Sequence, residues 1–215
     1  MPGSDVLTVT DRLVNRSAYP KEFELIYHTN FGPGAGLEAG ATFVAPTATV
    51  TPFNAEASAD LLAVELRTTA AAKDKEEAWR TFLGPTRGFG ERVYKVTTHA
   101  DAATGNSIAA LVSGAGDKGV ALTYSAASLP CFTLWKNTDA LEEGYVVGLE
   151  PGTSFCHPMP HERAHGRVPV LLPGGEQRFS LQVRVLRSAS DVAEVRAEVD
   201  RLAAGRTPQV LELEP

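Results

Sequence analysis

The chain has 215 residues, 43% of them hydrophobic, which is enough to bury one sizeable core. Its formal net charge is −6, with acids and bases interspersed and no long block of either sign, which argues against nucleic acid as a partner. No apolar run approaches the roughly 18–20 residues that span a bilayer. The N-terminal MPGSDVLTVTD lacks the basic and apolar regions of a signal peptide, so no membrane partner and a cytoplasmic location are expected.

Short β-rich runs separated by Gly, Pro, Asn and Asp dominate the chain. VLTVTDRLVN meets the turn signal Asn15-Arg16-Ser17 and KEFELIYHTNF follows, so Val6–Asn15 and Glu22–Asn30 read as a hairpin. ATFVAP and TATVTPF are two short strands broken at Pro46. TAAAKDKEEAWRTFL, rich in Ala, Lys and Glu, predicts a helical insertion from about Thr69 to Phe82. ERVYKVTTHA, NSIAALVSG and GVALTYSA read as a three-stranded meander. LPCFTLWKN and GYVVGLEPG are almost continuously apolar and predict two strands buried on both faces. GRVPVLLPGGEQRFSLQVRVL reads as a final hairpin turning at Pro173-Gly174-Gly175. SASDVAEVRAEVDRLAAG predicts a C-terminal helix with Ser190 or Ser188 as N-cap, a stripe of Val192, Val195, Val199 and Leu202, and Gly205 after its end. The tail QVLELE could add a short edge strand.

The expected fold class is all-β and mainly antiparallel: two packed sheets with a helical insertion and a C-terminal helix. Residues 1–187 form the β domain in this reading, and 188–215 form a helix and tail packed on it. No turn has the form of a dinucleotide or phosphate loop, because the glycine clusters precede strands rather than helices.

Three places could carry chemistry. His28 ends the apolar run Leu25-Ile26-Tyr27, and the glycine-rich NFGPGAG after it lets backbone approach a ligand. Its plain reading is a satisfied strand-end histidine. Glu150 ends the apolar run of GYVVGLEPG and is followed by Pro151; desolvation there would raise its pKa toward that of a general base. FCHPMPHERAH offers Cys156, His157, His161 and His165, but Pro158 and Pro160 break the helical spacing that a shared face needs, so no metal is expected. Cys131, in an apolar strand, reads as a small core residue.

In VTDRLVNRSAYPKEFELIYHTNFG, LPCFTLWKN and GYVVGLEPGTSF, the Asn15 turn, His28, Phe31, Trp135, Glu150 and Pro151 stand in one order. That order, from about Asp11 to Phe179, resembles the aldose 1-epimerase or galactose mutarotase superfamily, most closely an uncharacterised bacterial branch. The resemblance implies a β-supersandwich and an isomerase that interconverts the α and β anomers of a free sugar or sugar derivative, without a cofactor. It implies His28 as general acid on the ring oxygen and Glu150 as general base on the anomeric hydroxyl. Asn30, Phe31, Trp135, Lys136 and Asn137 are the expected substrate-binding residues, and the partner is a small-molecule sugar.

Two departures stand out. The family's sugar-binding aspartate is absent from Ser128-Leu129-Pro130, so Lys136 and Asn137 are expected to supply polar contacts and to shift choice toward an acidic or modified sugar. His28 also lies nearer the start than in longer members, whose N-terminal strands bring an arginine and a second histidine. A homodimer could cover the resulting sheet edges. The alternative is a non-catalytic carbohydrate-binding protein on the same fold.

Overall fold

Two antiparallel sheets pack face to face in a computed structural model of the chain, which describes residues 4–65 and 78–213. The strands are β1 Val6–Val14, β2 Lys21–Glu22, β3 Thr29–Phe31, β4 Thr42–Val44, β5 Thr47–Pro52, β6 Arg92–Thr98, β7 Asn106–Val112, β8 Gly119–Ser125, β9 Cys131–Asn137, β10 Val146–Gly152, β11 Val170–Leu171, β12 Glu176–Leu186 and β13 Gln209–Val210. The helices are α1 Ala55–Glu65, α2 Met159–Ala164 and α3 Ala189–Ala203. One sheet has the order β1-β12-β8-β7-β4 and the other β13-β5-β6-β9-β10-β3; β2 and β11 form a small ribbon. Within the second sheet β13 runs parallel to its neighbour β5, and the other pairs among the described residues are antiparallel. Two mainly antiparallel sheets packed face to face are the all-β architecture expected from the sequence.

Alternation along the strands sorts the side chains into layers. Val50, Tyr94, Val96, Phe132, Leu134, Val147 and Leu149 of the six-stranded sheet meet Phe43, Leu111, Leu122, Tyr124, Phe179 and Leu181 of the other. Phe132 sits 5.6 Å from the rings of both Phe43 and Tyr124, which locks the sheets together. A second apolar layer lies outside the five-stranded sheet, where Val192, Val195, Val199 and Leu202 of α3 cover Ile108, Ala110, Val112 and Ala121. Ser188 caps α3 by accepting from the Asp191 amide, as the sequence predicts. The far face of the six-stranded sheet is polar. By register Thr51, Lys95, Thr133 and Glu150 form one row across it, and Val93, Trp135, Gly148 and Asn30 the next.

Several local expectations need correction. Val6–Asn15 pairs with β12, not with residues 22–30, because Asn15 turns the chain between sheets: its Nδ2 donates to the carbonyls of Tyr19 and Leu171. The meander splits in the same way, with β6 in one sheet and β7 and β8 in the other. The final hairpin separates too, since β11 pairs with β2 and β12 with β1 and β8. Of the helix expected from Thr69 to Phe82, residues 69–77 lie outside the described residues. Ala78–Arg80 forms a 3-10 turn that buries Trp79, and Phe82 is also buried. Helix α1 was not apparent in the sequence; Asn54 starts it, accepting from the Ala57 amide. No helix among the described residues is long and apolar enough to cross a membrane.

Candidate active site

The polar face of the six-stranded sheet carries the site. β3 pairs with β10 so that Asn30 lies opposite Gly148 and Thr29 opposite Leu149. Continuing that register by one residue sets His28 beside Glu150. Two hydrogen bonds hold the approach: the Tyr27 amide donates to the Pro151 carbonyl and the Thr29 side-chain hydroxyl to the Leu149 carbonyl. His28 Nε2 comes to 3.1 Å from Glu150 Oε1. The imidazole is 53% exposed, whereas the carboxylate is only 3% exposed. The two atoms are close but off the line of a hydrogen bond, so Oε1 is buried without a hydrogen-bonding partner among the described residues.

Burial pushes the Glu150 carboxyl up to about 7, and the neighbouring His28 only partly opposes this. Asn30 Oδ1 lies 2.9 Å from His28 Nδ1. An amide oxygen is an acceptor only, so this contact assigns the proton to Nδ1 and turns Nε2 toward Glu150. Trp135 packs edge-on against the imidazole, with centroids 5.7 Å apart, and donates its indole N–H to Glu91 Oε2 at 2.9 Å. Asn137 is two residues further along β9 on the same face, at the rim, where it donates to the Gly144 carbonyl.

Gly148 makes room for the carboxylate. A Cβ at this position would stand 2.1 Å from Glu150 Oε1 and 3.2 Å from the Trp135 Cβ. The Glu150 side chain therefore folds back over Gly148, into the space between Asn30 and Trp135. Sequence reasoning passed over Gly148 and Glu91. The available signal was Gly-x-Glu on a strand: residues two apart share a face, and the glycine leaves a hole beside the acid.

His28, Glu150, Asn30, Trp135 and Asn137 are thus brought to one face. Phe31 and Lys136 are not. Phe31 packs against the inter-sheet core, one residue out of phase with Asn30. Lys136 follows Trp135 and so points the opposite way; its ammonium donates to the carbonyls of Ala78, Trp79 and Thr81 at 3.3, 3.2 and 2.8 Å. Their expected role in binding substrate is corrected by the period of two along a strand. Trp79 is also core, between Phe43 and Tyr94.

The histidine segment folds differently from the expectation. Pro158 is the N-cap of α2 and Pro160 sits in its first turn, positions where a missing N–H costs nothing. The rings of His157, His161 and His165 therefore stack in series, 4.0 and 4.3 Å apart. His157, His161 and Glu162 converge closely enough to be weighed as metal ligands. However, Arg167 binds both Glu162 oxygens, at 2.5 and 3.0 Å, and Lys95 Nζ lies 3.3 Å from His157 Nε2. Two cations and an occupied carboxylate are a poor environment for another cation. Cys131 is buried, with its thiol pushed up to about 12 by burial, as suits a core residue.

Comparison with solved structures agrees with this architecture. A Klebsiella pneumoniae protein described as a "putative aldose 1-epimerase" is 36% identical, with a TM-score of 0.88 over 98% of this chain and 50% of that one. A galactose mutarotase-like protein from Clostridium acetobutylicum gives a TM-score of 0.52 at 12% identity, over 84% of this chain and 52% of that one. An Escherichia coli K12 protein, also a "putative aldose 1-epimerase", gives 0.51 at 17% identity, over 84% and 56%. The last two share the fold. The chain spans about half the length of these structures. No curated protein sequence matches it. A family model matches residues 1–185, and the chain belongs to that family, described as Domain of unknown function (DUF4432).

Proposed function

We propose that this face binds a free sugar and interconverts its α and β anomers, with His28 as general acid and Glu150 as general base. The observation that carries the reading is the 3.1 Å between His28 Nε2 and Glu150 Oε1. A hemiacetal carbon bears two oxygens on one atom, the ring oxygen and the anomeric hydroxyl. An acid and a base this close can address both at once. A hydrolase that inverts its glycoside needs space for a water between its two groups, and this pair leaves none.

The chemistry balances within the pair. Protonated His28 gives its Nε2 proton to the ring oxygen while the Glu150 carboxylate takes the proton of the anomeric hydroxyl. The bond between C1 and the ring oxygen breaks, and the open-chain aldehyde forms. After rotation about the C1–C2 bond, the hydroxyl attacks the other face of the carbonyl. His28 recovers its proton from that hydroxyl and Glu150 returns its own to the new anomeric oxygen. Asn30 keeps Nδ1 protonated throughout, so Nε2 is the atom that cycles. The raised pKa of Glu150 suits a base working near neutrality.

The test is polarimetry on freshly dissolved single anomers, comparing wild type with His28→Ala. Relaxation faster than buffer in wild type alone supports the reading. Saturable sugar binding with no acceleration would make the chain a binding protein instead.

A further inference from the structure

We infer that Glu91 is the substrate-recognising carboxylate of this site, accepting hydrogen bonds from the hydroxyls of an uncharged sugar and rejecting anionic ones. The inference rests on the anomer-exchange reading and specifies the class of sugar.

Glu91 precedes β6 and is exposed, yet it is fixed at both ends. Its backbone carbonyl accepts from Asn54 Nδ2 at 2.8 Å, and the same Asn54 side chain starts α1 and reaches the Val93 amide. Its side chain accepts from the Trp135 indole at 2.9 Å through Oε2. Trp135 in turn stands against His28, and His28 against Glu150. Glu91, Trp135, His28 and Glu150 therefore form a continuous chain across the face, with a carboxylate at each end and an indole and an imidazole between.

That arrangement has a chemical consequence. A pyranose or furanose ring presents apolar C–H faces and hydroxyl donors at its edge. The indole offers a flat surface for the first, and an ionised carboxylate with several lone pairs is the strongest acceptor for the second. Glu91 also sets the sign of the field. The two lysines that β6 and β9 bring nearby are engaged elsewhere: Lys136 faces the other side of the sheet, and Lys95 is buried with its ammonium against His157. A uronate or a sugar phosphate whose anionic group took the place of the hydroxyl at Glu91 would set charge against a carboxylate, so the acidic sugar expected from Lys136 is replaced by a neutral one.

Glu91→Gln removes the charge while its amide oxygen still accepts the indole N–H, so Trp135 stays in place. Anomer exchange would be measured by NMR magnetisation transfer on neutral aldoses, the matching uronates and the matching 6-phosphates. Wild type should exchange the neutral sugars and leave both anionic sets at buffer rate. Glu91→Gln should raise KM for neutral sugars about tenfold, the worth of one charged hydrogen bond, with kcat within a few-fold. It should also narrow the preference over uronates. Equal exchange of uronates by wild type, or an unchanged KM and preference in Glu91→Gln, would overturn the assignment. If no sugar exchanges at all, the acid–base reading fails separately. Calorimetric binding of the same panel then decides: neutral-only binding weakened by Glu91→Gln upholds the role of Glu91, and any other pattern ends it.

Discussion

Glu150 on β10 and Lys136 on β9 lie on opposite faces of the same sheet, each with its charged end withdrawn from water. Burial moves both toward neutrality, raising the carboxyl to about 7 and lowering the ammonium to about 8. The protein treats them differently from there. Lys136 receives three backbone carbonyls and staples the turn at residues 78–81 to the strand. Among the described residues Glu150 Oε1 has no hydrogen-bond donor, and the His28 imidazole stands 3.1 Å from it in poor alignment. A satisfied buried charge holds structure. One left unsatisfied is a reserve of free energy that a substrate hydroxyl can draw on.

Substitutions should separate the two roles. Glu150→Gln should lower exchange by about 10²–10⁴-fold, the usual contribution of a positioned base. The same variant should gain stability. The folded pKa of Glu150 lies above the unfolded value, so between pH 4.5 and about 7 the native state binds the extra proton and stability falls as pH rises. Thermal unfolding should therefore show Glu150→Gln more stable than wild type by about 2–3 kcal/mol at pH 8, with little difference at pH 4. Gly148→Ala tests the space the carboxylate occupies. Its Cβ would displace Oε1, and a misplacement of this size should cost about 100-fold in kcat while the fold survives.

Lys136→Met should do the reverse. Leaving three carbonyls without their donor should destabilise the fold by about 2–4 kcal/mol in denaturant titrations. Exchange by the remaining folded protein should be unchanged. The smallest effect is expected for Asn30→Ala, which frees the imidazole to rotate and should reduce kcat several-fold without altering unfolding.

The sequence carried these two residues unequally. Alternation and strand-end position marked Glu150, and the apolar run before His28 marked its partner. Lys136 looked like a ligand because, with Asn137, it is the polar residue that follows Trp135. A period of two reverses the direction of adjacent side chains, and only knowing which face is outside assigns them. Strand existence was legible for β6 through β10, but pairing was not. Whether a turn closes a hairpin or crosses between sheets depends on distant acceptors, such as the Leu171 carbonyl for Asn15. Helix α1 was hidden because its residues carry little amphipathic contrast. Gly148 was legible only as the glycine of a Gly-x-Glu pair sharing a strand face; that Glu150 folds over it shows only in the structure.

The decisive measurement is the pH dependence of anomer exchange for wild type and Glu150→Gln, by NMR magnetisation transfer on a neutral aldose. Wild-type exchange should fall as pH drops through about 7, following protonation of the buried carboxylate, and Glu150→Gln should stay at buffer rate at every pH. Wild-type exchange that persists in Glu150→Gln with the same profile would contradict the assignment of Glu150 as the base.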